Sequence, residues 1–107
     1  MKPVIFGLSG LVLTDDEKRL FLDAEPAGYI VFGRNVADRR QLLSLTDSLR
    51  DLHGRDDVPI LIDQEGGRVQ RFRDGFTRLP PMRDLGRLHD TDPAAARRAA
   101  HAVGEVL

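Results

Sequence analysis

The sequence predicts an α/β fold built on a parallel sheet, and three observations predict it. Short apolar runs at 4–8, 29–32 and 58–62 alternate with two amphipathic helical patterns. The resulting order is β-α-β-α-β, then a long loop and a last helix. Right-handed crossovers make strands joined in this way parallel and set the helices outside the sheet. The third run, Val58-Pro59-Ile60-Leu61-Ile62, is apolar without alternation, the pattern of a strand covered on both faces.

Each element has its own signals. After the first run, Thr14-Asp15-Asp16-Glu17 has the form of a capping box. Thr14 can accept from the N–H three residues on while Glu17 reaches back. A helix from Asp15 to about Ala24 follows, and Pro26 stops it. Gly28 precedes the second run, Tyr29 to Phe32, and Gly33 ends it. Asp38 is the next N-cap candidate. Leu42, Leu45, Leu49 and Leu52 then make one apolar stripe, and Gly54 suits the left-handed position after the helix. Pro59 fits only the start of the third strand. From Asp63 to Pro81 there is no periodic pattern, and long loops of this kind are usually functional or disordered. Asp92 and Pro93 are the N-cap and first residue of an Ala-rich helix that runs to Leu107.

The composition narrows the class. At 107 residues the chain fits one small domain or part of a larger one. With 41% hydrophobic and 31% charged residues it reads as soluble and globular, not disordered. A formal net charge of −1 argues against a general polyanion binder, so no nucleic-acid partner is expected. The absence of cysteine excludes disulfides, thiolate metal sites and a cysteine nucleophile. No secretory signal is visible, and no stretch approaches the ~18 apolar residues of a membrane span. A cytoplasmic location with no membrane partner follows by elimination. His53, His89 and His101 lack metal-ligand spacing and read as solvated, so neither metal nor cofactor is expected.

The architecture predicted this way is incomplete. Three parallel strands leave open edges, and the chain stops inside a helical pattern. The expectation is the N-terminal portion of a larger α/β fold, or an assembly in which copies complete one another through those edges.

In parallel α/β folds, functional groups collect at the C-terminal ends of strands. Two places qualify, Arg34-Asn35 after the second strand and the segment from Asp63 after the third. Asp63 is the first polar residue after the apolar run. Its carboxylate can accept from sugar hydroxyls, or can cap the loop or pair with an arginine. Gly66-Gly67 permits a positive-φ turn and close approach to the backbone. Arg68 and Arg71 supply planar donor forks for hydroxyls, carboxylates or phosphates. Their spacing allows both on one side of a helical turn, or each in a bridge to Glu65 or Asp74. Glu65 reads as structural. Arg34 and Asn35 either line the same mouth or serve as a solvated side chain and a turn residue. Arg97-Arg98 reads as a solvated helix face.

The run Ile62-Asp63-Gln64-Glu65-Gly66-Gly67-Arg68-Val69-Gln70-Arg71-Phe72 closely resembles the signature of bacterial β-N-acetylhexosaminidases of glycoside hydrolase family 3, the peptidoglycan-recycling type. Gly7-Leu8-Ser9-Gly10 with Leu13-Thr14 to Glu17, Gly28 to Asn35, and Phe76-Thr77-Arg78-Leu79-Pro80 extend the resemblance to about residue 85. It implies a (β/α)8 TIM barrel, of which residues 1–107 are an incomplete part with roughly three βα units. It also implies a retaining enzyme that removes terminal N-acetylglucosamine from muropeptides without a cofactor. By motif match Asp63 and Arg71 bind substrate, with Arg34, Asn35 and Arg68 as possible lining. The family's nucleophilic Asp and acid/base His come from later strands, so no catalytic residue is expected in this chain and it should be inactive alone. Two other readings stay open: a non-catalytic module that self-associates, and a phosphate- or nucleotide-binding domain using Gly66-Gly67 and the arginines. The last lacks the Lys and glycine spacing of known phosphate loops.

Overall fold

A computed structural model describes residues 1–107, which form two compact units, Met1–Ile62 and Asp63–Leu107. The first holds a three-stranded parallel sheet in the order β1-β2-β3, with β1 at Lys2–Gly7, β2 at Pro26–Val31 and β3 at Ile60–Ile62. In the register Phe6 lies beside Tyr29, and Tyr29 beside Ile60.

Helix α1, Asp15–Ala24, starts where the capping box predicts it. Glu17 N donates to Thr14 Oγ1 at 3.1 Å, and Thr14 N donates to Glu17 Oε2 at 2.9 Å. The other Glu17 oxygen accepts from Ser9 N at 2.7 Å, which ties the loop after β1 to the helix. The helix ends at Glu25, in the left-handed region at φ 47°, and Pro26 already belongs to β2. Helix α2, Arg39–His53, has Asp38 as N-cap and Gly54 in the left-handed cap, as the sequence predicts.

Both helices lie on one face of the sheet. The rings of Phe21 in α1 and Tyr29 are 4.8 Å apart, and His53 in α2 reaches the Tyr29 hydroxyl at 2.6 Å. Leu45 and Leu49, half of the leucine stripe, are buried with Phe21 and Tyr29. His53 is therefore not the solvated residue expected from its position. It is the hydrogen-bond partner of a fully buried phenol, because the last turn of α2 lies against β2. The opposite face carries neither α1 nor α2. Ile5 and Leu61 project there and are 43% and 45% exposed. Two right-handed crossovers that proceed in the same direction put both helices on the same side.

The second unit contains more order than its sequence suggests. Within the stretch expected to be irregular, β4 (Gln64–Gly66) pairs antiparallel with β5 (Val69–Gln70). A helix not expected from the pattern, α3, occupies Met82–Thr91 and packs against α4, Pro93–Val106. The start of α4 is the predicted one: Asp92 Oδ1 accepts from Ala95 N at 3.0 Å, with Pro93 in the first turn.

Candidate functional site

Asp63 directly follows β3, and the loop it opens is folded back on itself. Gly66 and Gly67 make the turn between β4 and β5 at φ 87° and 58°. The close approach they permit is to their own chain. A Cβ on Gly66 would lie 2.2 Å from the Pro80 carbonyl oxygen, and one on Gly67 would lie 2.8 Å from Pro81 Cγ. Gly67 N donates to Leu79 O at 2.9 Å. The Phe72 and Phe76 rings stack at 4.8 Å.

Two glutamines that the sequence reading passed over hold this loop. Gln64 Oε1 accepts from Arg71 N at 2.9 Å and Phe72 N at 3.1 Å, and its Nε2 donates to Phe72 O at 3.1 Å. Gln70 is buried, with 1% of its surface exposed. Its Nε2 donates to Phe72 O and Thr77 O, and its Oε1 accepts from Leu79 N. A buried amide must find partners for donors and acceptor alike, and this one finds three backbone groups. Burial of glutamine has no periodic signature, so composition and pattern could not reveal either brace.

The predicted pair comes together. Arg71 Nη2 lies 3.7 Å from Asp63 Oδ2, with the two side chains 32% and 43% exposed. At that separation the attraction is that of a half-solvated surface pair, worth about 0.2–1 kcal/mol. The sequence offered an arginine as a partner for Asp63, and Glu65 or Asp74 as partners for the arginines; the folded loop pairs Asp63 with Arg71. A correction concerns Arg68. Residues 69–70 are β5, not a helical turn, and extended backbone turns side chains three apart to opposite sides. Arg68 is exposed and shares the rim of a shallow cavity of about 280 Å³ with Glu65, Met82 and Arg83.

In the other unit, Arg34 and Asn35 form a 3₁₀ turn after β2. Asn35, expected as possible lining, is fully buried and its amide is committed to backbone. Its Oδ1 accepts from Phe32 N at 2.9 Å, and its Nδ2 donates to Leu8 O at 3.0 Å and Gly10 O at 2.8 Å. Arg34 Nε also donates to Leu8 O at 2.8 Å, with its guanidinium 4.9 Å from the Phe32 ring centre. Both residues fasten the loop after β1 to the loop after β2. Gln41 adds to the brace, with its Nε2 donating to Leu11 O and Asn35 O. No helix is long and apolar enough to cross a membrane.

Known proteins give this geometry a context. A β-hexosaminidase from Bordetella pertussis is 53% identical over 108 aligned residues, which cover 98% of this chain and 30% of that protein. One from Nitrosospira multiformis is 47% identical over 107, again 98% of this chain and 30% of the relative. Among solved structures, NagZ from Neisseria gonorrhoeae in complex with N-trifluoroacetyl-D-glucosamine superposes with a TM-score of 0.88 at 45% identity, over 97% of this chain and 31% of that one. A family 3 β-N-acetylglucosaminidase from Paenibacillus gives 0.69 at 34% identity, over 77% and 16%. The chain thus spans about a third of the length of the curated relatives it matches. The pattern described as the glycosyl hydrolase family 3 N terminal domain matches residues 7–107, and the chain belongs to that family.

Proposed function

We propose that this chain is part of a retaining β-N-acetylhexosaminidase that removes terminal N-acetylglucosamine from muropeptides in the cytoplasm, and that Asp63 and Arg71 are its contacts to the sugar. The observation that carries the reading is the Asp63–Arg71 pair following β3, half-exposed and 3.7 Å apart. One group accepts and the other donates, and the two charges cancel. A neutral polyol, whose hydroxyls do both, matches such a pair. A phosphate would meet the Asp63 carboxylate as a like charge, which disfavours the nucleotide reading.

The winding of the first unit supports a barrel. The order β1-β2-β3 never reverses, and both helices lie on one face. Doubly wound sheets reverse strand order and carry helices on both faces, whereas (β/α)8 barrels continue in one direction. On this reading residues 1–107 are an incomplete part of one catalytic barrel.

Retention needs a nucleophile and an acid/base about 5–5.5 Å apart across the anomeric carbon. Asp63 cannot fill both roles, so the chain alone binds without cutting. Incubation with an aryl β-N-acetylglucosaminide should release no phenol above background, while N-acetylglucosamine should perturb the Asp63 and Arg71 resonances. Turnover by this chain that Asp63→Asn abolishes would refute the assignment, as would calorimetric binding of a nucleotide in preference to the sugar.

A second reading is favoured by the exposed Ile5 and Leu61 on a sheet whose β1 and β3 are both edges. Unpaired edges are templates for other chains, and copies can associate there. Light scattering decides, and a stable monomer counts against it.

A further inference from the structure

Antiparallel pairing of β4 and β5 stops at Gln64 and Gln70, and its register is irregular between Gln64 and Gly66. Arg71 is the next residue, beyond the ladder. Its N–H, and that of Phe72, are taken up by the Gln64 side chain. The same amide donates back to Phe72 O, so one side chain clamps two consecutive residues on three bonds. Gln64 is also the chain neighbour of Asp63. The clamp therefore fixes the backbone of Arg71 against the segment that carries Asp63, and side-chain flexibility alone then sets the distance between carboxylate and guanidinium.

We infer that Gln64 is a positioning residue for sugar recognition, presetting Asp63 and Arg71 so that both address one bound N-acetylglucosamine unit. The inference rests on the assignment of those two residues as the sugar contacts. The side chain must be glutamine for a chemical reason. Glutamate keeps the acceptor for both N–H groups but turns a carboxylate toward Phe72 O. Methionine keeps the length and loses every bond. Gln70 provides the internal comparison, because its amide shares Phe72 O and otherwise holds Thr77 and Leu79, with no bond to Arg71. Holding a binding pair in place before the ligand arrives removes the ordering cost from the binding step.

The test uses the chain itself, with Gln64→Met and Gln64→Glu. Amide exchange and the Arg71 Nε–H resonance are recorded first, and N-acetylglucosamine is titrated into the same samples. Loss of one bond worth ~1 kcal/mol at each amide should speed exchange at Arg71 and Phe72 about fivefold in Gln64→Met. The Arg71 Nε–H resonance should move toward its solvated position, and the sugar titration should weaken severalfold. Amides of β2 and of Leu79 should keep their wild-type rates. Gln64→Glu should recover part of the protection and part of the affinity.

An Arg71 Nε–H resonance and amides unmoved in Gln64→Met overturn the role of Gln64, whatever the sugar does. Uniform acceleration from residue 63 to 81 also overturns it, since Gln64 would then be holding the loop together and not placing Arg71. A wild-type chain with no sugar response at Asp63 or Arg71 overturns the contact assignment instead, whatever the exchange shows.

Discussion

Replacing Gly66 with alanine should open the loop that carries the candidate site, and the size of the effect follows from two separable costs. The first is conformational. At φ 87° an L side chain adds about 1–2 kcal/mol of steric strain. The second is contact. The new Cβ would lie 2.2 Å from Pro80 O, 3.0 Å from Leu79 Cβ and 3.1 Å from Leu79 O, and two of those atoms are backbone that cannot rotate away. The 79–80 segment must move off, and the bond from Gly67 N to Leu79 O goes with it, at about 1 kcal/mol. Together the change costs roughly 3 kcal/mol of local stability. Gly75 isolates the first cost, with φ 76° and nothing within 4 Å of its Cβ. Gly75→Ala should then cost only the first term, about 1–2 kcal/mol, leaving a gap of about 1 kcal/mol, roughly fivefold in exchange rate. Amide exchange at Gly67 and Leu79 in the two variants measures it. Equal effects would refute the reasoning, because the turn would then not be packed rigidly against residues 79–80.

Other outcomes are open to measurement. Burial pushes the Tyr29 phenol up from 10.0 to about 12, and the chain has one tyrosine and no tryptophan, so phenolate absorbance reports that group alone. Its contribution to stability is fully present below the unfolded value of 10 and is lost as pH rises toward 12; a native midpoint near 10 would contradict the packing of β2. At Glu17 desolvation raises the carboxyl, but backbone donation from Thr14 and Ser9 outweighs it and holds the group below its ordinary 4.5. Its share of helix stability is present above 4.5 and lost as pH falls through the lowered value, so Glu17→Gln should flatten the acid limb of a circular-dichroism titration. Asn35→Ala removes three hydrogen bonds and leaves buried backbone groups unpaired, which should cost about 3 kcal/mol in a thermal melt. Asp63→Asn breaks only a half-exposed pair, so it should abolish the sugar response while changing stability by less than ~1 kcal/mol.

What the sequence determined by itself is what short-range physics encodes. Helix α1 could be placed from Thr14 and Glu17 because both ends of that contact lie within one turn. Helix α2 could be placed from Asp38, the leucine stripe and Gly54 for the same reason. The run from Asp63 to Phe72 carried the resemblance to the family, whose pattern matches residues 7–107. Tertiary structure decided whatever depends on residues brought from elsewhere in the chain. It turned Asn35 from candidate lining into a buried brace on Leu8 and Gly10, and His53 from a solvated side chain into the partner of Tyr29. It put both helices on one face of the sheet. Pairing of Asp63 with an arginine was legible as one option, but which arginine was decided by the folded loop. The loop closed through the amides of Gln64 and Gln70, and that closure brought Arg71 to Asp63. Hydrogen bonds between residues seven to nine positions apart have no period and no composition. They exist only once the backbone has turned, and here the turn is set by the steric freedom of Gly66 and Gly67.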